Sequence, residues 1–133
     1  MARGPLAGSR VSESARRDGR TVLIVDDDLD TREMLRLLLE INGWNVITAQ
    51  SGEEALDRLS QEDVTAIVLD NRMPGMSGLE VAARLREARH PARVVFVTGA
   101  DDVGEEVCRL GLPHYLRKPI DPPRLLSILD NDN

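Results

Sequence analysis

The sequence predicts an α/β domain built on an open parallel sheet, and three observations predict it. Short unbroken apolar runs rich in β-branched residues recur at 22–25, 64–69 and 94–97, the pattern of strands buried on both faces. Amphipathic patterns of helical period separate them, so strand and helix alternate five times along the chain, as a parallel sheet with crossover helices requires. Each strong run is followed by a polar residue able to do chemistry, and sites of open parallel sheets lie beyond the carboxyl ends of their strands.

Residues 1–20 are rich in Gly, Ser, Arg and Ala without apolar periodicity, with five arginines against Glu13 and Asp18; they read as a disordered basic tail. The folded domain is expected over 21–131. Its first strand, 22–25, runs into Asp26-Asp27-Asp28. A helix follows from Asp30 to Ile41, with Met34, Leu35, Leu37, Leu38 and Ile41 on a broad apolar face, Asp28 or Asp30 as its cap and Asn42-Gly43 as its stop. A weaker strand at 45–49 belongs nearer an edge. Ser51-Gly-Glu-Glu54 and Ser77-Gly-Leu-Glu80 both fit the capping box and open helices over 52–60 and 78–89. Between them lies the strand 64–69, ending at Asp70, and after them the strand 94–97, ending at Thr98. A short helix near 102–110, an edge strand at 114–117 leading to Lys118-Pro119, and a helix over 122–130 complete the set.

Composition narrows the class. The 133 residues suffice for one domain. With aromatics at 2%, the core must come from Leu, Val, Ile and Ala. No apolar run approaches the roughly 20 residues that span a bilayer, and no secretory signal is visible. Cys108 is the only cysteine and cannot form an internal disulfide; a cytoplasmic protein is expected. The net charge of −6 repels nucleic acid, since no basic patch follows the tail.

The topology brings Asp26, Asp27, Asp70, Thr98 and Lys118, the only lysine, toward one rim. Converging carboxylates repel one another unless a cation compensates them, and such oxygen donors suit Mg²⁺, whereas the absence of nearby His or Cys argues against zinc. Asp70 is the candidate nucleophile toward phosphorus, with Lys118 and Thr98 reaching phosphoryl oxygens.

These residues resemble a known family. Val22-Leu-Ile-Val-Asp26-Asp27-Asp28, Leu69-Asp70-Asn-Arg-Met-Pro74-Gly-Met-Ser-Gly78, Val97-Thr98-Gly99 and Leu116-Arg-Lys118-Pro119, in that order, resemble the receiver domain of bacterial two-component response regulators. The resemblance implies a flavodoxin-like (βα)5 fold, five parallel strands in the order 2-1-3-4-5. It implies that Asp70 is the phosphoacceptor for a sensor histidine kinase or histidine phosphotransfer protein. It further implies that Asp27, Asp70 and the backbone carbonyl of Arg72 bind Mg²⁺, with Asp26 acting through water, and that Lys118–Pro119 is a cis peptide. As switch residues it implies Thr98 and Tyr115, whose ring would turn inward on phosphorylation and alter the face formed by the helix near 102–110, the strand 114–117 and the helix 122–130. Such a protein is a signalling domain rather than an enzyme, working through a downstream protein, without nucleic-acid or membrane binding, and compatible with a phosphorylation-dependent homodimer.

The chain ends just after the last helix, which leads to the expectation of a single-domain regulator. The stretch from Thr98 to Lys118 is shorter than in a typical member, so the helix near 102–110 should be short or irregular. Arg72 and Ala100 stand where the family flanks water's approach to the acyl phosphate, and Asn71 is polar where an apolar residue is common. A Mg²⁺-dependent aspartate-nucleophile phosphatase is one alternative, though it would want an acid at Arg72 and a cap region; a receiver that binds protein without being phosphorylated is the other. A flavin site fails because the loop after the first strand is acidic. Trp44 should pack against the first helix, His90 and His114 should be surface residues, and Cys108 has no neighbour that would activate it.

Overall fold

The structure, a computed structural model, describes residues 20–99 and 114–130. Five parallel strands, β1 (Thr21–Val25), β2 (Asn45–Ala49), β3 (Ala66–Asp70), β4 (Arg93–Thr98) and β5 (His114–Arg117), form one sheet in the order β2-β1-β3-β4-β5. The predicted fold class and strand order are found, with the two weaker strands at the edges. Four helices are described: α1 (Leu29–Ile41), α2 (Gly52–Gln61), α3 (Gly78–Glu87) and α4 (Pro122–Asp130). The tail 1–19, the helix expected near 102–110, Cys108 and Ala100 lie outside the described residues.

Strand alternation divides the core into two layers. Leu23, Val25, Ile67, Leu69 and Phe96 pack with Ala55 of α2 and Val81, Ala82 and Leu85 of α3. Val22, Ile24, Ala66, Val68, Val95 and Val97 pack with Leu35 and Leu39 of α1 and Leu125 and Leu129 of α4. The three central strands are therefore apolar on both sides, which is why their hydropathy runs unbroken.

Two boundaries lie two residues from expectation, and one buried face is narrower. β3 begins at Ala66, because Val64, although buried, precedes the ladder; the strand runs on through Asp70, which pairs with Val97. α3 ends at Glu87 rather than 89, since Ala88 caps it and Arg89 turns into the left-handed region at φ 55°. On α1 only Leu35 and Leu39 are buried, while Met34, Leu37 and Ile41 are exposed, Ile41 at 81%. The inward face of that helix is one stripe of its apolar surface, not all of it.

Arg89 follows the helix cap, and the amide of His90 donates back to the carbonyl of Leu85 at 3.0 Å. Glycine suits this position because a Cβ is penalised there. Arg89→Gly should raise stability by about 1 kcal/mol, read as an upward shift of the urea midpoint at unchanged slope; a lower midpoint would refute it.

At the amino end of the sheet, the Arg20 guanidinium lies 4.3 Å from the centre of the Trp44 ring and pairs with Asp130 at the end of α4. Trp44 is buried beside Leu35 and Leu39, as expected, and its indole N–H has no partner among the described residues. His90 is half-buried and accepts a hydrogen bond from the Ala92 amide through Nδ1 at 3.1 Å, so it has a local structural role rather than a purely surface one.

Candidate functional site

Register sets the level of each polar residue at the rim. Val25 pairs with Leu69, so Asp26 and Asp70 follow it side by side. Asp70 pairs with Val97, which leaves Thr98 one step further along, and Thr98 pairs with Arg117, which places Lys118 one step beyond that. Lysine is long enough to reach back. Its Nζ lies 3.2 Å from Asp26 Oδ2 and 3.5 Å from Asp70 Oδ1. The Lys118–Pro119 peptide is cis.

Asp26 and Asp70 are buried, at 3% and 4% exposure, and are the only buried charged residues among those described. Asp27 is exposed. Carboxylate oxygens of the three lie within 4.8 Å of one another. Asp26 Oδ1 accepts from the Asp28 amide at 2.9 Å. Asp28 caps α1: its Oδ2 accepts from the hydroxyl and amide of Thr31 at 2.5 and 3.0 Å. The Thr31 hydroxyl, followed by the Thr31 amide, holds the Asp28 carboxyl below its ordinary value.

One lysine does not balance this charge. Burial first, then Asp26 and to a smaller extent Asp27, push the Asp70 carboxyl up to about 6 against the opposing pull of Lys118. Burial opposes ionisation of Lys118, yet Asp70 and Asp26 raise it above the ordinary lysine value. The site is short of positive charge and offers only hard oxygen donors, so a divalent cation such as Mg²⁺ fits it.

The shift has a consequence for stability without added metal. The Asp70 carboxyl ionises near 4 when unfolded and near 6 when folded, so between those values the native state holds the extra proton and stability falls as pH rises. Above about pH 6.5 the cost is fully present, on the order of 2 kcal/mol after allowing for solvent screening at the open rim. Asp70→Asn should therefore gain more stability over wild type at pH 7.5 than at pH 4, by chemical denaturation in EDTA. An equal difference at both values would contradict the assignment.

Local structure behind Asp70 is tightly set. Ser77 caps α3 in a reciprocal box with Glu80. Gly78 opens that helix directly against the backbone of Asp70: a Cβ there would stand 2.3 Å from the Asp70 carbonyl oxygen. The Asn71 carbonyl accepts from the amides of Met73 and Gly78 at 3.0 and 3.1 Å, and its Oδ1 accepts from the Leu79 amide at 3.0 Å. Sequence reasoning noted only that Asn71 was polar; its side chain ties β3 to the first turn of α3. Arg32 was also overlooked, although it lies one turn after the acidic cap, and its Nη1 donates to the Asp26 carbonyl at 2.8 Å.

The structure thus brings together Asp26, Asp27, Asp70 and Lys118. Arg72 is exposed in the loop between β3 and α3. Thr98 ends β4, its side chain lying outside the described residues. Tyr115 of β5 pairs with Phe96 of β4 and is half-buried, packed against the α2–α3 layer.

Residues 22–130 match the family model described as the response regulator receiver domain. The chain is 42% identical over 108 residues to the response regulator MprA of Mycolicibacterium vanbaalenii, covering 80% of this chain and 47% of that protein. MprA of Mycobacterium avium is 41% identical with the same coverage; the chain spans about half the length of these curated relatives. Among solved structures, the response regulator TrrA of Thermotoga maritima, in complex with Mg²⁺ and BeF, superposes with a TM-score of 0.77 at 30% identity, covering 83% of this chain and 96% of that one. A CheY-like receiver domain from Methylobacillus flagellatus gives 0.75 at 34% identity, with 83% and 95% coverage.

Proposed function

The chain belongs to the response regulator receiver domain family, and from that premise we propose that it accepts a phosphoryl group on Asp70 from a histidine kinase or histidine phosphotransfer protein. The observation that carries this reading is a buried aspartate at the end of a central strand, with Asp26, Asp27 and Lys118 converging on it.

A carboxylate oxygen of Asp70 attacks phosphorus, the P–N bond of the donor phosphohistidine breaks, and the imidazole leaves with the bonding electron pair. Asp27, Asp70 and the carbonyl of Arg72 would hold Mg²⁺, with Asp26 acting through water. When bound, that ion supplies the charge neutralisation that lets one anion approach another. Lys118, already between Asp26 and Asp70, moves its ammonium onto a phosphoryl oxygen, and Thr98 donates to another. The added dianion then biases Thr98 and Tyr115 and, through them, the face that includes β5 and α4. That face would engage a downstream protein.

Intact-mass spectrometry after incubation with acetyl phosphate tests the reading. One adduct of phosphoryl mass per chain is expected with Mg²⁺ present and none in EDTA. No adduct in a sample shown to bind a divalent ion would overturn it.

A further inference from the structure

Asp26 is held at four points. Its amide donates to the Ala49 carbonyl at 3.2 Å, its carbonyl accepts from Arg32, and its carboxylate accepts from the Asp28 amide and from Lys118. Asp27 has no side-chain hydrogen bond among the described residues and is exposed, so its carboxylate is placed by the backbone alone. The carbonyl that Arg32 grips belongs to the peptide joining Asp26 to Asp27. A peptide is planar, so fixing its oxygen fixes the plane and with it the position of the Asp27 Cα. Arg32 can do this because helical side chains lean toward the helix amino terminus: it sits one turn into α1, its own amide donating to the Asp28 carbonyl at 3.0 Å, and its half-buried side chain runs back over the turn.

We propose that Arg32 is a positioning residue for the acidic pair, raising divalent-cation affinity through its hydrogen bond to the Asp26 carbonyl in spite of its charge. The inference rests on the Mg²⁺-dependent reading given above. Two effects of Arg32 on a neighbouring cation have opposite signs. As a positive charge it repels a divalent ion; as an anchor of the turn it aims the Asp27 carboxylate at that ion. Removing it therefore tightens binding if the charge dominates and weakens binding if the anchor dominates.

The experiment is a Mn²⁺ titration at pH 7.5, with free ion followed by electron paramagnetic resonance, on the 133-residue wild type, Arg32→Ala and Arg32→Lys. Folding is checked by circular dichroism. Arg32→Ala should bind about 10-fold more weakly than wild type, the scale on which residues supporting metal ligands act. Arg32→Lys keeps the charge but not the planar fork, and should fall between the two, a partial rescue that lost stability alone would not give. Affinity of folded Arg32→Ala equal to or tighter than wild type overturns the proposal. Should Arg32→Ala not fold, Arg32→Lys decides, and wild-type affinity in that variant overturns it. Failure of wild type itself to bind Mn²⁺ is a separate result: it removes the Mg²⁺-dependent reading and this inference with it.

Discussion

Asp70→Asn should show no phosphoryl adduct under conditions that load one per wild-type chain. The carboxamide is nearly isosteric with the carboxylate but lacks its nucleophilic anionic oxygen. Its carbonyl oxygen can still face the Lys118 ammonium, which lies 3.5 Å from Asp70 Oδ1. Removing the charge relieves first the cost of burying it and then the repulsion from Asp26 and Asp27, the causes that raise the Asp70 carboxyl, so the variant should fold and, at pH 7.5, be more stable than wild type. Loss of the adduct together with a raised melting temperature separates chemistry from folding, and intact mass beside thermal denaturation reads both. An adduct on the variant would place the acceptor elsewhere, with Asp26 and Asp27 the next carboxylates to examine.

Gly78→Ala should have the largest effect on stability. The added methyl would stand 2.3 Å from the Asp70 carbonyl oxygen and 2.8 Å from the Asn71 Cα. Both are backbone atoms of a central strand and its exit, so neither moves aside cheaply. Alanine's better helix propensity returns roughly 1 kcal/mol, but overpacking against fixed backbone exceeds it. A net loss of about 3 kcal/mol is expected, a fall in melting temperature of roughly 10–15 °C. The same displacement shifts Asp70, so phosphorylation should slow as well. Gly52→Ala is the comparison: its nearest contacts, the Met76 Cβ and the Val81 Cγ2 at 2.9 Å and the Met76 carbonyl oxygen at 3.0 Å, are longer than the 2.3 Å contact at Gly78 and do not involve the strand that carries Asp70. It should cost less and leave the rate of adduct formation unchanged. Equal melting of Gly78→Ala and wild type would show that α3 does not press on β3 as described.

The central strands were readable because burial on both faces leaves no polar residue to interrupt them, and the helix starts because Ser51 and Ser77 carry their capping partners three residues on. Hydropathy misplaced the start of β3: Val64 is buried without belonging to the strand, and a buried loop residue looks the same as a buried strand residue. It also overstated the buried face of α1, since periodicity marks the apolar residues without saying which of them meet the sheet. At the rim, the convergence of Asp26, Asp27, Asp70 and Lys118 followed from strand ends alone. The contacts that hold the convergence were not legible. Arg32 gripping a carbonyl, Asn71 capping a neighbouring turn and Gly78 lying against backbone all depend on main-chain atoms, which no residue pattern displays. The side chain of Thr98 is in neither category, since it lies outside the described residues.

Met34, Leu37 and Ile41 stand three and four residues apart on α1, the helix that begins at the acidic rim, with roughly half or more of each in water. Covering all three would release roughly 3–5 kcal/mol from apolar area, comparable to the low end of what association costs in lost freedom. A visitor seated on this stripe alone would leave almost as fast as it arrived, because residence time is where affinity differences mostly fall. Long occupancy would need a second set of contacts. Contacts confined to this stripe would therefore be short-lived.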